Sequence, residues 1–290
     1  MNAPVRAESG SEKWDVEIRP DASWLALSLF DLWIYRDLVR LFVRRDIVAQ
    51  YKQTILGPIW LVLQPLLATL VFTVFFGNVA GLSTGGLPKL LFYLSGQVVW
   101  GYFAGVLTTT SDTFVANANL FGKVYFPRLV VPVSVLFSQL LQFALRTLVF
   151  CAFLAFFIFR GAEIRPGPAL ALFPAALLVM MALALGLGVL FSAMTAKYRD
   201  LRFLLAFGVQ LLMFTTTAVY PLSAMTSAKY RLLVLANPMT PVIECFRLAA
   251  MGGGDFRPAH LAYAAVVAVA ALGLGLVIFT RIERNFMDSV

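Results

Sequence analysis

The chain has 290 residues, of which 60% are hydrophobic and 13% charged, with a mean hydropathy of +0.84; soluble domains carry roughly 45–50% apolar and about 25% charged residues. That balance excludes a disordered chain, a nucleic-acid-binding domain and an ordinary cytosolic enzyme, and indicates a polytopic membrane protein. The net charge of +8 then reads as Lys and Arg that set topology, with no nucleic acid among the expected partners.

Residues 1–22 are polar and charged, with no apolar core of a cleavable signal peptide. They are expected to form a disordered cytoplasmic tail ahead of one membrane domain over 23–290. In 24–50, Trp33, Ile34, Leu38, Leu41 and Phe42 are interleaved with Arg36, Asp37, Arg40, Arg44 and Arg45. Charges this frequent forbid spanning. The pattern predicts an amphipathic interface helix on the membrane surface, a helix docked on another cytoplasmic element being the alternative.

Beyond it come stretches free of Asp, Glu, Lys and Arg. These are Gln53–Pro88, Leu90–Ser111, Leu129–Phe159 (interrupted only by Arg146), Pro166–Ala196, Phe203–Ala228 and Pro258–Thr280. A hydrocarbon core of about 30 Å takes roughly 20 residues of helix. Six spans are predicted, near 56–77, 90–111, 129–158, 168–193, 202–220 and 259–280. The stretch 221–258 is too long and apolar for a simple loop. Pro221, Pro238 and Pro241 divide it, predicting short helices over Leu232–Ala236 and Pro241–Ala250 that re-enter the outer leaflet. Backbone broken at that depth must be buried in protein or face water. The expected class is therefore all-α integral membrane, with an N-terminal amphipathic interface helix, six transmembrane helices and re-entrant short helices between spans five and six.

Six spans put both termini on one side. That side carries fifteen Lys and Arg against seven on the other, which places the termini in the cytoplasm.

Missing residues narrow the function. Gly122-Lys123 is followed by Val124 without an upstream glycine, so there is no Walker A phosphate loop. One histidine, His260, and two cysteines, Cys151 and Cys245, offer neither a metal cluster nor a disulfide framework. No acidic residue sits mid-span, where an ion-coupled carrier needs a relay. No catalytic pair is evident, and no cofactor is expected in this chain. A transporter of this kind would draw its energy from another subunit.

Several segments then form a pattern. Tyr51-Lys52-Gln53-Thr54-Ile55-Leu56-Gly57-Pro58-Ile59-Trp60, followed by Leu63-Gln64-Pro65-Leu66, resembles the entry to the first span of type-2 ABC exporter permeases. The nearest branch is the one that exports bacterial cell-surface polysaccharides such as O-antigen. Asn117-Ala118-Asn119-Leu120 with Lys123-Val124-Tyr125-Phe126-Pro127-Arg128 resembles the cytoplasmic coupling segment of that family. Tyr198-Arg199-Asp200-Leu201, Asn237-Pro238-Met239-Thr240-Pro241 with Phe246-Arg247, and Glu283-Arg284-Asn285-Phe286 are similar to its later loops and its ending. The resemblance implies a homodimeric permease in the bacterial inner membrane, with two copies of a separate ABC ATPase holding ATP and Mg. The implied substrate is polysaccharide linked to undecaprenyl diphosphate. Capsular polysaccharide, teichoic acid and small hydrophobic drugs are alternatives. A membrane-embedded glycosyl- or acyltransferase is the rival from another class, for which only Asp112, Glu163, Glu244 and Asp255 are on offer.

The coupling role follows by the same resemblance, and the other roles are read from the residues themselves. Asn119, Phe121, Lys123, Tyr125, Phe126, Pro127 and Arg128 are expected to couple to the ATPase, since exposed aromatics on a loop need a partner surface; interfacial anchoring is the alternative. Arg44, Arg45, Gln50 and Lys52 are expected to meet the anionic head of a lipid-linked substrate, or anionic phospholipid in general. Arg199-Asp200-Leu201-Arg202 is read first as a structural charge cluster. Trp60, Phe72, Phe76, Phe214 and Tyr220 are candidate channel aromatics, with Phe72, Phe76, Phe214 and Tyr220 at the exit. Arg146, the one intramembrane charge, steadies a diphosphate, pairs with Glu244, bonds helix carbonyls or snorkels outward. Gly101 and Gly105, like Gly186 and Gly188, are read as close helix contacts.

Overall fold

The computed structural model describes residues 29–52, 54–124, 126–225 and 227–287. The expected tail over 1–22, and Tyr125, lie outside them. Among the described residues every regular element is helical.

The interface helix is two pieces, α1 (Leu29–Ile34) and α2 (Arg36–Tyr51), parted at Tyr35 (φ −87°, ψ 16°). The helix is docked on another part of the chain. Val39 and Phe42 are buried with Phe126, Val130 and Val131, while Trp33, Ile34, Leu41 and Val48 remain exposed. One apolar face docks on protein and the other is exposed.

Five helices are long and apolar enough to cross a bilayer: α3 (Gly57–Val79), α4 (Lys89–Ser111), α7 (Val130–Phe159), α8 (Phe173–Lys197) and α12 (Pro258–Met287). Between α4 and α7 lie the short helices α5 (Thr113–Ala116) and α6 (Ala118–Phe121). The last turns of α3 widen to π-helix over Thr73–Val79. Lys89 Nζ, at the head of α4, donates to Gly77 O at 2.6 Å and Asn78 Oδ1 at 3.0 Å. A cation thus covers carbonyls at the C-terminal end of α3, where the helix dipole favours it. The centre of the fold is α4, which is mostly buried, whereas little of α3 is. It packs on α3, α7 and α8, and α8 in turn lies along α12. At that crossing a Cβ on Gly186 would fall 2.6 Å from Leu272 Cα, so only glycine admits this approach.

The span expected over 202–220 is helical only in α9 (Leu201–Met213), about 20 Å at 1.5 Å per residue and short of the hydrocarbon thickness. The cause is Thr215-Thr216-Thr217 running up to Pro221. The Thr216 hydroxyl donates to Met213 O at 2.6 Å, and Ala218 N–H donates to Thr216 Oγ1 at 3.2 Å. A side chain has replaced the helix ladder. Thr216, Thr217, Ala218 and Val219 are buried. Ala218 sits on α4 at Gly96, where a Cβ would meet Ala218 O at 2.6 Å. The broken backbone is thereby sheltered in protein.

The re-entrant pair is present as α10 (Ala228–Ala236) and α11 (Met239–Met251), bent by 89°. The Phe42 and Phe126 rings lie 5.7 Å apart, and Phe114 and Phe279 4.8 Å. So α2, the α5–α6 segment and the later part of α12 share one end of the bundle, called here the near end. At the far end Thr84, Pro221, Glu244, Arg247 and Asp255 line one cavity of about 300 Å³.

Candidate functional site

At the near end an aromatic ladder links four segments. Phe42 of α2 meets Phe126 edge-on, Phe126 meets Phe121 at 5.6 Å, Phe121 meets Phe114 at 6.0 Å, and Phe114 meets Phe279 of α12. Arg128, buried, lays its guanidinium 5.5 Å from the Phe121 centroid and 5.9 Å from that of Phe114. The segment read from sequence as exposed aromatics is therefore turned inward. Phe126 is 5% exposed, because Val39, Phe42, Val130 and Val131 cover it. Phe121 and Pro127 are half-buried. What the segment presents outward is Asn119, Gly122, Lys123 and Val124. Tyr125 lies outside the described residues. The inner side holds the segment and the outer side is open.

The four basic-end residues of the interface helix do not act as one cluster. Arg45 donates from Nε (2.9 Å) and Nη2 (2.8 Å) to Asp46 Oδ1 and lies 4.5 Å over the Phe42 ring. Arg44, one residue earlier and about 100° round the helix, faces a groove against α7. Gln50 accepts a hydrogen bond from the Gln142 amide at 2.9 Å, and Lys52 is exposed.

That bond opens a polar stripe on α7. Ser134, Ser138, Gln142 and Arg146 recur at every fourth residue, on one face. Ser138 donates to Ser134 O, and Arg146 Nη2 to Gln142 Oε1 at 3.4 Å. Arg146 of the stripe and Gln139 beside it face the glycines of α4. A Cβ on Gly101 would fall 2.8 Å from Arg146 Nη1, and one on Gly105 2.5 Å from Gln139 Oε1. These glycines make room for polar side chains, not for a helix backbone as the G-x-x-x-G spacing led us to expect. Arg146→Leu, keeping the volume but not the bond, is expected to cost about 0.6–2 kcal/mol, a fall of a few degrees in melting temperature. Thermal unfolding of the detergent-solubilised chain measures it; an unchanged midpoint would place the guanidinium outside the packed stripe.

Glu244 is not the partner of Arg146. It belongs to a buried network on α11 and α4. Arg247 Nη1 donates to Glu244 Oε1 at 3.0 Å, Nε to Ser95 Oγ at 3.1 Å and Nη2 to Phe92 O at 3.2 Å, and its guanidinium lies 3.6 Å from the Phe92 centroid. Glu244 Oε2 accepts Asp255 N–H at 2.8 Å. Arg247 is 1% exposed and Glu244 3%. The pair clamps the re-entrant helix to α4. The sequence carried a signal for it: acid and base three residues apart in an apolar stretch, the spacing that brings helical side chains together.

Of the channel aromatics, Phe72 and Phe76 meet edge-on at 5.4 Å and Phe72 leans on Tyr93, so both turn partly toward α4. Trp60 and Phe214 are exposed. Tyr220 borders a far-end cavity of about 430 Å³ with Tyr230 and Leu233. Arg199, Asp200 and Arg202 are exposed at the α8–α9 turn. Among the described residues no three His, Cys, Asp or Glu side chains gather into a metal-binding group.

Known proteins share this sequence pattern. The family profile described as "ABC-2 type transporter" matches residues 37–251. The chain is similar to an O-antigen export system permease protein RfbA of Klebsiella pneumoniae, 25% identical over 263 residues, covering 89% of this chain and 97% of that one. A protein of the same name from Myxococcus xanthus is 27% identical, covering 90% and 98%. The polysialic acid transport protein KpsM of Escherichia coli is 23% identical over 248 residues, covering 84% and 93%.

Proposed function

Since the chain belongs to the ABC-2 type transporter family, we propose that it is the membrane permease of an exporter for O-antigen or a related cell-surface polysaccharide. The observation that carries this reading is the end-to-end similarity to permeases named for O-antigen export, over 97% and 98% of their lengths. The polysialic acid transport relative supports a second reading, another acidic or neutral surface polysaccharide. In the mechanism proposed, two copies form the path and the near end faces the cytoplasm, as the Lys and Arg asymmetry favours. Two ATPase subunits dock there and hydrolyse ATP with Mg in their own sites. The polymer arrives on undecaprenyl diphosphate, and aromatic rings with weak, releasable contacts suit a moving sugar chain better than charges.

Docking is best supported at the outward residues of the near-end segment, Asn119, Lys123 and Val124, because the ladder behind them gives a partner something rigid to push against. Deleting the gene should remove polymer from the cell surface and leave it, lipid-linked, inside; normal surface polymer in the deletion strain overturns the assignment. Lys123→Glu with Val124→Asp should cut export at least several-fold with insertion intact. Immunoblots of membranes and quantified surface polymer measure the two, and unchanged export removes this segment from coupling.

A further inference from the structure

A groove of about 790 Å³ runs between α2 and α7. Its floor is apolar, from Val39, Val43 and Ile47 on α2 and Val133 and Phe137 on α7. Along its rim stand Arg36, Arg40 and Arg44, four residues apart and so in line, roughly 6 Å from one to the next. Phe137 is exposed, and Leu141, Leu145 and Leu148 continue it along α7, also exposed. The trough thus opens onto an exposed apolar ridge of a helix long and apolar enough to cross a bilayer. The polar stripe of α7 points elsewhere, to Gln50 and to Gly101. Arg45 points elsewhere too, spent on Asp46 and Phe42. Among the described residues the counter-charge beside the rim is Asp37, which Arg40 Nη1 meets at 3.0 Å with both side chains about three-quarters exposed, a pair that solvent screens.

A dry trough beneath a row of guanidiniums, on an amphipathic helix of a membrane protein, fits a ligand with a hydrocarbon tail and an anionic head. Free phosphate would leave the trough empty, and a soluble peptide would not reach onto the ridge of a bilayer-length helix. We propose that this groove holds an anionic phospholipid, one acyl chain lying over Val43 and Ile47 and its phosphate between Arg40 and Arg44. The site goes beyond the export reading and holds whichever polymer is carried.

The test is native mass spectrometry of the delipidated full chain, offered equal phosphatidylglycerol and phosphatidylethanolamine. The wild type is expected to retain one phosphatidylglycerol with a preference of about ten-fold or more, as two arginines acting together give. Arg40→Gln with Arg44→Gln should abolish the preference, and Val43→Trp should empty the groove with every charge in place. Arg45→Gln should leave retention unchanged, and excess inorganic phosphate should displace nothing. Equal retention of both lipids by the wild type overturns the proposal. So does a preference that survives the double arginine variant, one lost equally in Arg45→Gln, or stoichiometric replacement of the phospholipid by a polyprenyl diphosphate. If Val43→Trp fails to fold, the arginine variants, which change only exposed side chains, still decide.

Discussion

Glu244→Ala is expected to destabilise the protein by about 3–5 kcal/mol, enough to remove most of the folded permease from the membrane. The carboxylate accepts from Arg247 on one oxygen and from the Asp255 amide on the other, and both partners of the ion pair are buried. Taking away the anion leaves a guanidinium in the interior with Ser95 Oγ and Phe92 O as its remaining partners. Arg247→Ala should cost a similar amount, by stranding the carboxylate instead. The pair itself is a different quantity from either loss. Replacing both partners, Glu244→Leu with Arg247→Met, removes the charges together and should recover much of the lost stability. Thermal unfolding of the three variants in one detergent measures this. If the double variant melts no higher than the singles, the clamp depends on the hydrogen bonds to α4 and not on charge balance.

Phe126→Ala is the second large loss. A buried phenylalanine cut to alanine costs about 3–5 kcal/mol, and this ring also makes two of the ladder contacts, to Phe42 and Phe121. Folded protein should fall, and the fraction that remains should hydrolyse ATP with its partner while exporting little, because α2 and the α5–α6 segment no longer move as one. Phe126→Leu keeps most of the volume and should cost under about 1.5 kcal/mol. Export normalised to folded protein separates the two effects. Normal export per folded molecule in Phe126→Ala would mean that the ladder is packing alone.

Long apolar runs made most of the fold legible. Five of the expected spans fall within a few residues of α3, α4, α7, α8 and α12, because a charge-free stretch of bilayer length has few other solutions. Pro238 likewise marked the bend between α10 and α11, whereas Pro241, expected to divide the segment, lies in the first turn of α11. The end of α9 was hidden, since Thr216 bonding its own backbone is a choice between neighbours that hydropathy does not register. The direction of side chains was hidden for the same reason. Arg44 and Arg45 read as one basic cluster along the chain yet point to different surfaces, and Phe126 reads as an exposed ring until Phe42, more than eighty positions earlier, is seen to cover it. Pairings across such distances leave no periodicity in a single sequence.

The ladder also bears on biosynthesis. Its first ring, Phe42, leaves the ribosome before any span, and its last, Phe279, only with the final helix. A nascent chain with every earlier helix already inserted still lacks the closing rung behind Phe114. The ladder behind Phe114 is therefore closed only once the last described helix has been made, and a chain stalled before it leaves the α5–α6 segment without that brace.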